Sequence, residues 1–583
     1  MKRAASAAMV TLLCLGVTGW VAGATWTQWI GTGSYEDGQV WDESGNWHAG
    51  VPDTDKWAEI ANGGTAHISG IDATAYFVQL GGAASGALVL HSNSLTTVSA
   101  GGVSVGYEGF GLFEHLNGTL TTSNGELSIG SRSGSHGQYN LKGGQIYTSL
   151  VKLGNSGYGL LRQSAGTQVT CANLQVGNAL SGEGLYEMAG GDVGVTAWAY
   201  VGRYGPGTFV QAGGTVQITH ALELGSGSDG DGRYELNGPA GVQVSMNVLR
   251  VGYQGKGTFV QTGGMVNVTT DHWLPAWSGG DGRYELSGTG QLDTKDLRMV
   301  TGKSVFVQTG GTHTVRNNVE MGDYSSAVTR YELGGTGLFD VTNDVELGAG
   351  RAAEFVQSGG TLDAARLLIN YGSTYTMSGG SIVVGDLDVG VGSREGSLLV
   401  TGGPADITVS NLFRIGWFGT FEAVPGTVIH MTGTTFENNQ RDAAAVAGLE
   451  NVEFIFEGGA GIIDTFEVGC ADLGVDPGGG AGNFGVGGVT IGGGDLGQVR
   501  LVDTVNNSGA WPDVLYVGEL NVGAGSYLDL GGHTLYYEHA SIDAAATVED
   551  TVGGGSLILV PEPTTLLLLA AGLGALVARK RRT

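Results

Sequence analysis

Carboxylates are the first residues in this sequence that could do chemistry: Asp and Glu number 55 of 583 residues, against 27 Lys and Arg. Glycoside hydrolysis needs two carboxyl groups about 5–10 Å apart, one as acid and one as base or nucleophile. Any acidic repeat protein offers many such pairs, so the informative acid is one that breaks a repeat. Glu235 and Glu285 do not, because they sit in GDGRYELNG (Gly230–Gly238) and GDGRYELSG (Gly280–Gly288). One segment, Thr270-Asp-His-Trp-Leu-Pro-Ala-Trp277, replaces an expected repeat phrase, and Asp271, His272, Trp273 and Trp277 in it could line a sugar-binding groove; the plainer reading is a local bulge with two packed tryptophans. Ser226-Gly-Ser-Asp-Gly-Asp-Gly232 places acids at alternate positions, yet it lacks the terminal Glu of a calcium loop and reads as a solvated turn. The histidines have no zinc spacing, no C-x-x-C occurs, and no non-periodic Lys/Arg cluster of the lyase type is present. No catalytic residue, metal site or cofactor is therefore assigned, and weakly bound calcium is the one cofactor reading left open.

The elements that would position such residues are set by internal repetition. GTFVQAGGTVQI (Gly207–Ile218) returns as GTFVQTGGMVNV (Gly257–Val268), then as VFVQTGGTHTV (Val305–Val315) and EFVQSGGTLDA (Glu354–Ala364). The R-Y-E-L phrases lie between them. A third phrase, apolar-polar-apolar-Gly, separates all of these, and its glycines at 106, 130, 154, 177, 202 and 225 step by 24, 24, 23, 25 and 23 residues. A period near 24 is that of a solenoid. At one coil Asn370, another residue that tolerates the left-handed conformation, stands in the glycine position, and Val300 departs from the pattern.

Each unit thus reads as three short strands joined by glycine corners. Alternation points Tyr234 and Leu236 inward and Glu235 outward, with Phe209 in the same inward slot as Tyr234. Stacked coils then build an interior column of Phe209, Tyr234, Phe259, Tyr284, Phe306, Tyr331, Phe355 and Tyr375. Outside, Glu223 meets Arg250, and Arg298 meets Glu320, one coil apart. About 13 coils fit between Gly106 and Gly416. The expected fold is all-β: a single-stranded right-handed parallel β-helix with a C-terminal sorting helix. The alternative is a β-propeller, since the Phe and Tyr versions together repeat near 48 residues.

The ends carry an address. Lys2 and Arg3, an apolar stretch, and Ala22-Gly-Ala24 form a signal peptide expected to be cleaved after Ala24. At the other end Val560-Pro561-Glu562-Pro563 precedes an apolar run and Arg579-Lys580-Arg581-Arg582. In this order the tail resembles the PEP-CTERM sorting signal of Gram-negative bacteria. That resemblance implies recognition by an exosortase at the inner membrane, a transmembrane helix in the tail before processing, its removal, and association with the envelope or exopolysaccharide. The start of the chain is similar to that of other exported β-helix proteins, including passenger-like repeat proteins of autotransporters.

Composition limits the rest. A net charge of −28 repels nucleic-acid phosphates and excludes nucleic acid as a partner. Cys171 and Cys470, the cysteines outside the signal, are no disulfide framework. The organisation expected is a signal peptide (1–24), an aromatic-rich N-terminal cap region containing Trp41, Trp47 and Trp57 (25–100), the repeat region (101–420), a C-terminal β-rich region (421–550), a linker (551–560) and the sorting signal (561–583). The glycine stretch 478–494 reads as a flexible insertion. The function expected is a non-catalytic cell-surface or matrix protein handled by signal peptidase and exosortase, with a glycan-binding adhesin or a polysaccharide lyase or hydrolase as alternatives.

Overall fold

A computed structural model describes residues 24–31, 40–322, 328–403, 405–433, 435–459, 461–476, 478–509 and 512–561. The chain winds into a parallel β-solenoid of about 20 turns. Among the described residues the strand pairings are parallel, apart from isolated antiparallel bridges at Trp29–Trp47 and Cys470–Val514. A propeller blade is antiparallel, so that alternative falls. Between Val103–Val105 and Asp406–Ile415 the strands carrying the third phrase stack through 13 successive pairings, as the glycine period requires.

Three sheets run the length of the repeat region. The first contains Pro206–Gln211, Asp231–Leu236, Lys256–Gln261 and Asp281–Leu286, paired without slippage. Phe209, Tyr234, Phe259, Tyr284, Phe306, Tyr331, Phe355 and Tyr375 are all buried there, and successive ring centroids lie 4.6–4.9 Å apart. That is the strand spacing itself, so a ring fixed in one inward slot has to stack on its neighbours. Tyr186 extends the column by one coil, 4.4 Å from Phe209.

The Phe/Tyr alternation has a polar cause. Each Tyr donates its hydroxyl to a Gln one coil earlier: Tyr186 to Gln163, Tyr234 to Gln211, Tyr284 to Gln261, Tyr331 to Gln308 and Tyr375 to Gln357, all at 2.6–2.7 Å. The Gln amide nitrogen in turn donates to corner carbonyls, as Gln261 does to Gly264 and Gln291. These glutamines are fully buried, so their amides need these partners. A Tyr coil carries Leu or Met where the Phe coil carries Gln, which makes the chemical repeat two coils long. At the start of the column His115 replaces Gln and meets the Tyr139 hydroxyl at 2.8 Å.

Glycine corners allow the coils to close. Gly225 holds φ 65°, and a Cβ there would lie 2.3 Å from the Lys256 carbonyl oxygen. At the coil expected to substitute Asn370, the corner moves by one residue: Tyr371 takes the left-handed conformation (φ 56°), and the Asn370 amide oxygen accepts the Val391 N–H at 3.0 Å.

Several boundaries differ from those expected. The solenoid already begins at Thr25–Gln28, which pairs with Lys56–Ile60, so the coils run through the segment read as a separate cap. A covering loop is nonetheless there: Ile30 and Gln28 bond Asn46 and His48 across the outer edge of Thr25–Gln28. Trp29, Trp41 and Trp47 are buried and pack edge to face beneath that loop at 5.0 and 4.9 Å. Trp57 stays 42% exposed. Beyond Gly419–Glu422 the first sheet ends against the 3-10 segment Ala443–Asn451, and the chain continues on two sheets. The glycine stretch is not a free insertion, since Val486–Ile491 is a strand paired on both sides. Nor is 551–560 a free linker: Asp550 accepts three backbone N–H groups of the Gly turn and its neighbour Gly532, and Ser556–Leu559 pairs with Thr534–Ile542. The expected C-terminal helix and the residues Ala22, Glu562, Pro563, Arg579, Lys580, Arg581 and Arg582 lie outside the described residues. No helix among the described residues is long and apolar enough to cross a membrane.

Candidate glycan-binding face and the sorting motif

The third sheet positions the side chains best suited to binding. Its strands point the first and third residues of each apolar-x-apolar phrase inward, leaving the middle residue outside. Register therefore lines up Tyr200, Glu223, Arg250, Trp273, Arg298 and Glu320 in one outer row. Residues just past the glycine corners, Arg203, Tyr204 and Tyr253, flank this row, and Trp198 precedes it.

Here guanidinium groups and rings interleave. Arg250 lies 5.4 Å from the Trp198 ring and 5.3 Å from Tyr253, and its Nη1 meets Glu223 at 2.6 Å. Arg298 lies 4.9 Å over Trp273 and 3.5 Å from Asp271. Arg203 sits between Tyr200 and Tyr204 at 5.0 and 5.2 Å. Tyr204 and Trp277 are half exposed, at 49% and 55%, and Trp277 stands 6.1 Å from Tyr253. Partly exposed rings with polar groups at their edges are what a pyranose face stacks on.

The four residues singled out from sequence separate. Trp273 and Asp271 face outward and Trp277 is exposed on the following loop. His272 points the other way. It is fully buried, occupies the inward slot of Leu249 and Leu297, and packs 5.3 Å from Tyr284, so it contacts no external ligand. His272-Trp273-Leu274 is thus the third phrase itself, in register. Burial holds the His272 imidazole down to about 3 and keeps it neutral. Sequence reasoning placed Arg250 in the outer ladder with Glu223 but missed Trp198, Tyr200, Arg203, Tyr204 and Tyr253. Applying the 24-residue period to the polar middle position of the third phrase places Tyr200, Arg250 and Trp273 in one row.

The acidic turn does not converge on a point. Ser226 donates to Glu223, while Asp231 pairs with Lys256 at 3.1 Å. Among the described residues no group of three or more His, Cys, Asp or Glu could hold a metal. The repeat acids Glu235, Glu285 and Glu332 each bind the Arg two residues earlier in their own strand. Cys171 and Cys470 are buried free thiols, both pushed up to about 12 by burial.

At the far end of the described residues Val560 follows the strand Ser556–Leu559. Its N–H donates to the Tyr537 carbonyl at 2.8 Å, and its side chain, 2% exposed, closes a cleft of about 210 Å³ lined by Glu450, Tyr516, Tyr536 and Tyr537. Tyr516 and Tyr536 stack at 4.6 Å behind it. Pro561 follows directly. Residues 559–582 match the PEP-CTERM protein-sorting motif. The chain ends in an exosortase sorting signal. The motif marks an exported protein handled by an exosortase-type system and targeted to the cell envelope. No curated protein and no solved structure matches the chain.

Proposed function

We propose that this PEP-CTERM protein is a non-catalytic rod of the cell surface or extracellular matrix, cut from its tail by an exosortase and retained in association with exopolysaccharide. The observation that carries the reading is the junction at Val560. The sorting motif begins on the last strand of the solenoid, so the cargo being sorted is the rod itself. Its outer acids support a structural role, because those of the R-Y-E-L phrases are paired within their own strand. The adhesin reading is favoured over the lyase or hydrolase reading by the row of rings from Trp198 to Trp277, which offers stacking contact.

The test is the mass and location of the chain in isogenic strains with and without the exosortase. Loss of the residues after about Val560 and recovery in the matrix fraction are expected only with the enzyme. An intact C-terminus in both strains overturns the cleavage step, and release of reducing or unsaturated sugars by the purified rod overturns the non-catalytic assignment.

A further inference from the structure

We propose that the outer row between Trp198 and Trp277 is a track for a carboxylated polysaccharide, a chain containing uronic acids, laid along the rod axis with Arg203 reading the carboxylate. This rests on the reading that the rod associates with polysaccharide, and it adds the class of sugar and the residue that selects it.

The protein is strongly acidic, and the other arginines of the row have acidic partners: Arg250 has Glu223, and Arg298 has Asp271 and Glu320. Arg203 has none within ion-pair distance among the described residues. Its one hydrogen bond to a side chain is to the amide oxygen of Asn178 at 3.3 Å, and Asn178 is itself anchored to Asn155 at 2.8 Å. The guanidinium lies 5.0 Å from the Tyr200 ring and 5.2 Å from the Tyr204 ring, contacts that restrict the side chain and reduce the entropy lost when a ligand binds. A carboxylate is the group its planar fork fits, through two parallel N–H···O bonds.

Spacing supplies the second line. Consecutive positions of the row advance by one coil, ~4.8 Å, which is close to the advance of one sugar in an extended β-linked chain. Tyr253 and Trp277 lie past the corner side of the row, the side that carries Arg203 and Tyr204, on successive coils and 6.1 Å apart, so rings recur along the axis there and offer stacking faces to a sugar chain.

The rest of the surface sets the range of the interaction. Charges further than about 8 Å are largely screened at physiological salt, so most of the acidic body has little effect at Arg203, and Glu223, one coil away, is offset by its ion pair with Arg250. A neutral glycan would use the rings and leave Arg203 idle.

The experiment uses the exported protein as purified from the cell envelope, titrated with the β-linked polymers polymannuronate and polyglucuronate, and with the fully methyl-esterified form of each, followed by tryptophan fluorescence and calorimetry. At least one acidic polymer is expected to bind about tenfold tighter than its ester, the worth of one charge-assisted bond. Arg203→Gln should erase that difference while leaving the melting temperature and the ester's affinity unchanged. Trp277→Ala should weaken both forms. Equal affinity for acid and ester, or a retained difference in Arg203→Gln, overturns the acid-reading role while glycan binding stands. No binding of any of the four polymers overturns the track and the adhesin reading together.

Discussion

At the residue scale the molecule depends on polar atoms placed inside an apolar column. Tyr284 donates to Gln261 across one coil spacing in a fully buried setting. Tyr284→Phe keeps the ring stack and removes the donor, leaving the Gln261 amide oxygen unpaired. The local opening free energy of Asp281–Leu286, measured by native-state hydrogen exchange, is expected to fall by about 1–3 kcal/mol. An unchanged exchange rate there would remove the Tyr–Gln ladder from the account of stability. His272 is the opposite case, because neither ring nitrogen has a hydrogen-bond partner among the described residues. Its folded pKa, lowered from 6.5 to about 3 by burial, lies below that of the unfolded chain. The unfolded state therefore gains a proton as pH falls through 6.5 and the folded state does not, so stability is lost with acid across that window. His272→Leu supplies the residue found in the same slot one coil before and one coil after. It should hold its melting temperature better than the natural protein between pH 7 and pH 4, and equal pH slopes would show that this histidine does not drive acid sensitivity.

At the element scale, strands stack at fixed spacing only because glycines let the corners touch. A Cβ on Gly257 would lie 2.1 Å from the Gly252 nitrogen and 2.7 Å from the Leu224 oxygen, both rigid backbone atoms. Gly257→Ala is expected to cost about 1–3 kcal/mol or more, because two coils have to separate. Gly241 meets nothing within 4 Å, so Gly241→Ala should change the urea midpoint little. Similar effects at both sites would mean that the glycines serve flexibility and not close approach. The strands, their inward faces and the aromatic column were legible in the repeats, since period-2 alternation and a 24-residue step fix which side chain points where. The glutamine of F-V-Q was not read as a core residue. Its position two residues after Phe is plain, but an amide is placed inside only once a partner is known to wait one coil away, and that partner is contributed by register.

At the scale of the whole molecule, about 20 turns at ~4.8 Å each make a rod of roughly 100 Å. Its two ends differ. Buried tryptophans and a bonded loop lie at the first described coil, whereas among the described residues the strands Thr547–Glu549 and Ser556–Leu559 pair on one side each, and the sorting motif starts at Leu559. The sequence by itself determined the repeat, the inward faces of the strands, the glycine corners and the sorting address, because each is written in local spacing, whereas the parallel pairings of the structure removed the propeller. Tertiary structure alone decided three further things. His272 faces inward while Trp273 beside it faces outward. The tyrosine hydroxyls find glutamines 23 residues away, or 18 in the shorter last coil. Rings and arginines on separate coils gather along one outer row, with Arg203 beside it lacking an acidic partner among the described residues. All three depend on which coil lies against which and in what register, and a 24-residue period with insertions and one displaced corner does not settle that until the coils are stacked.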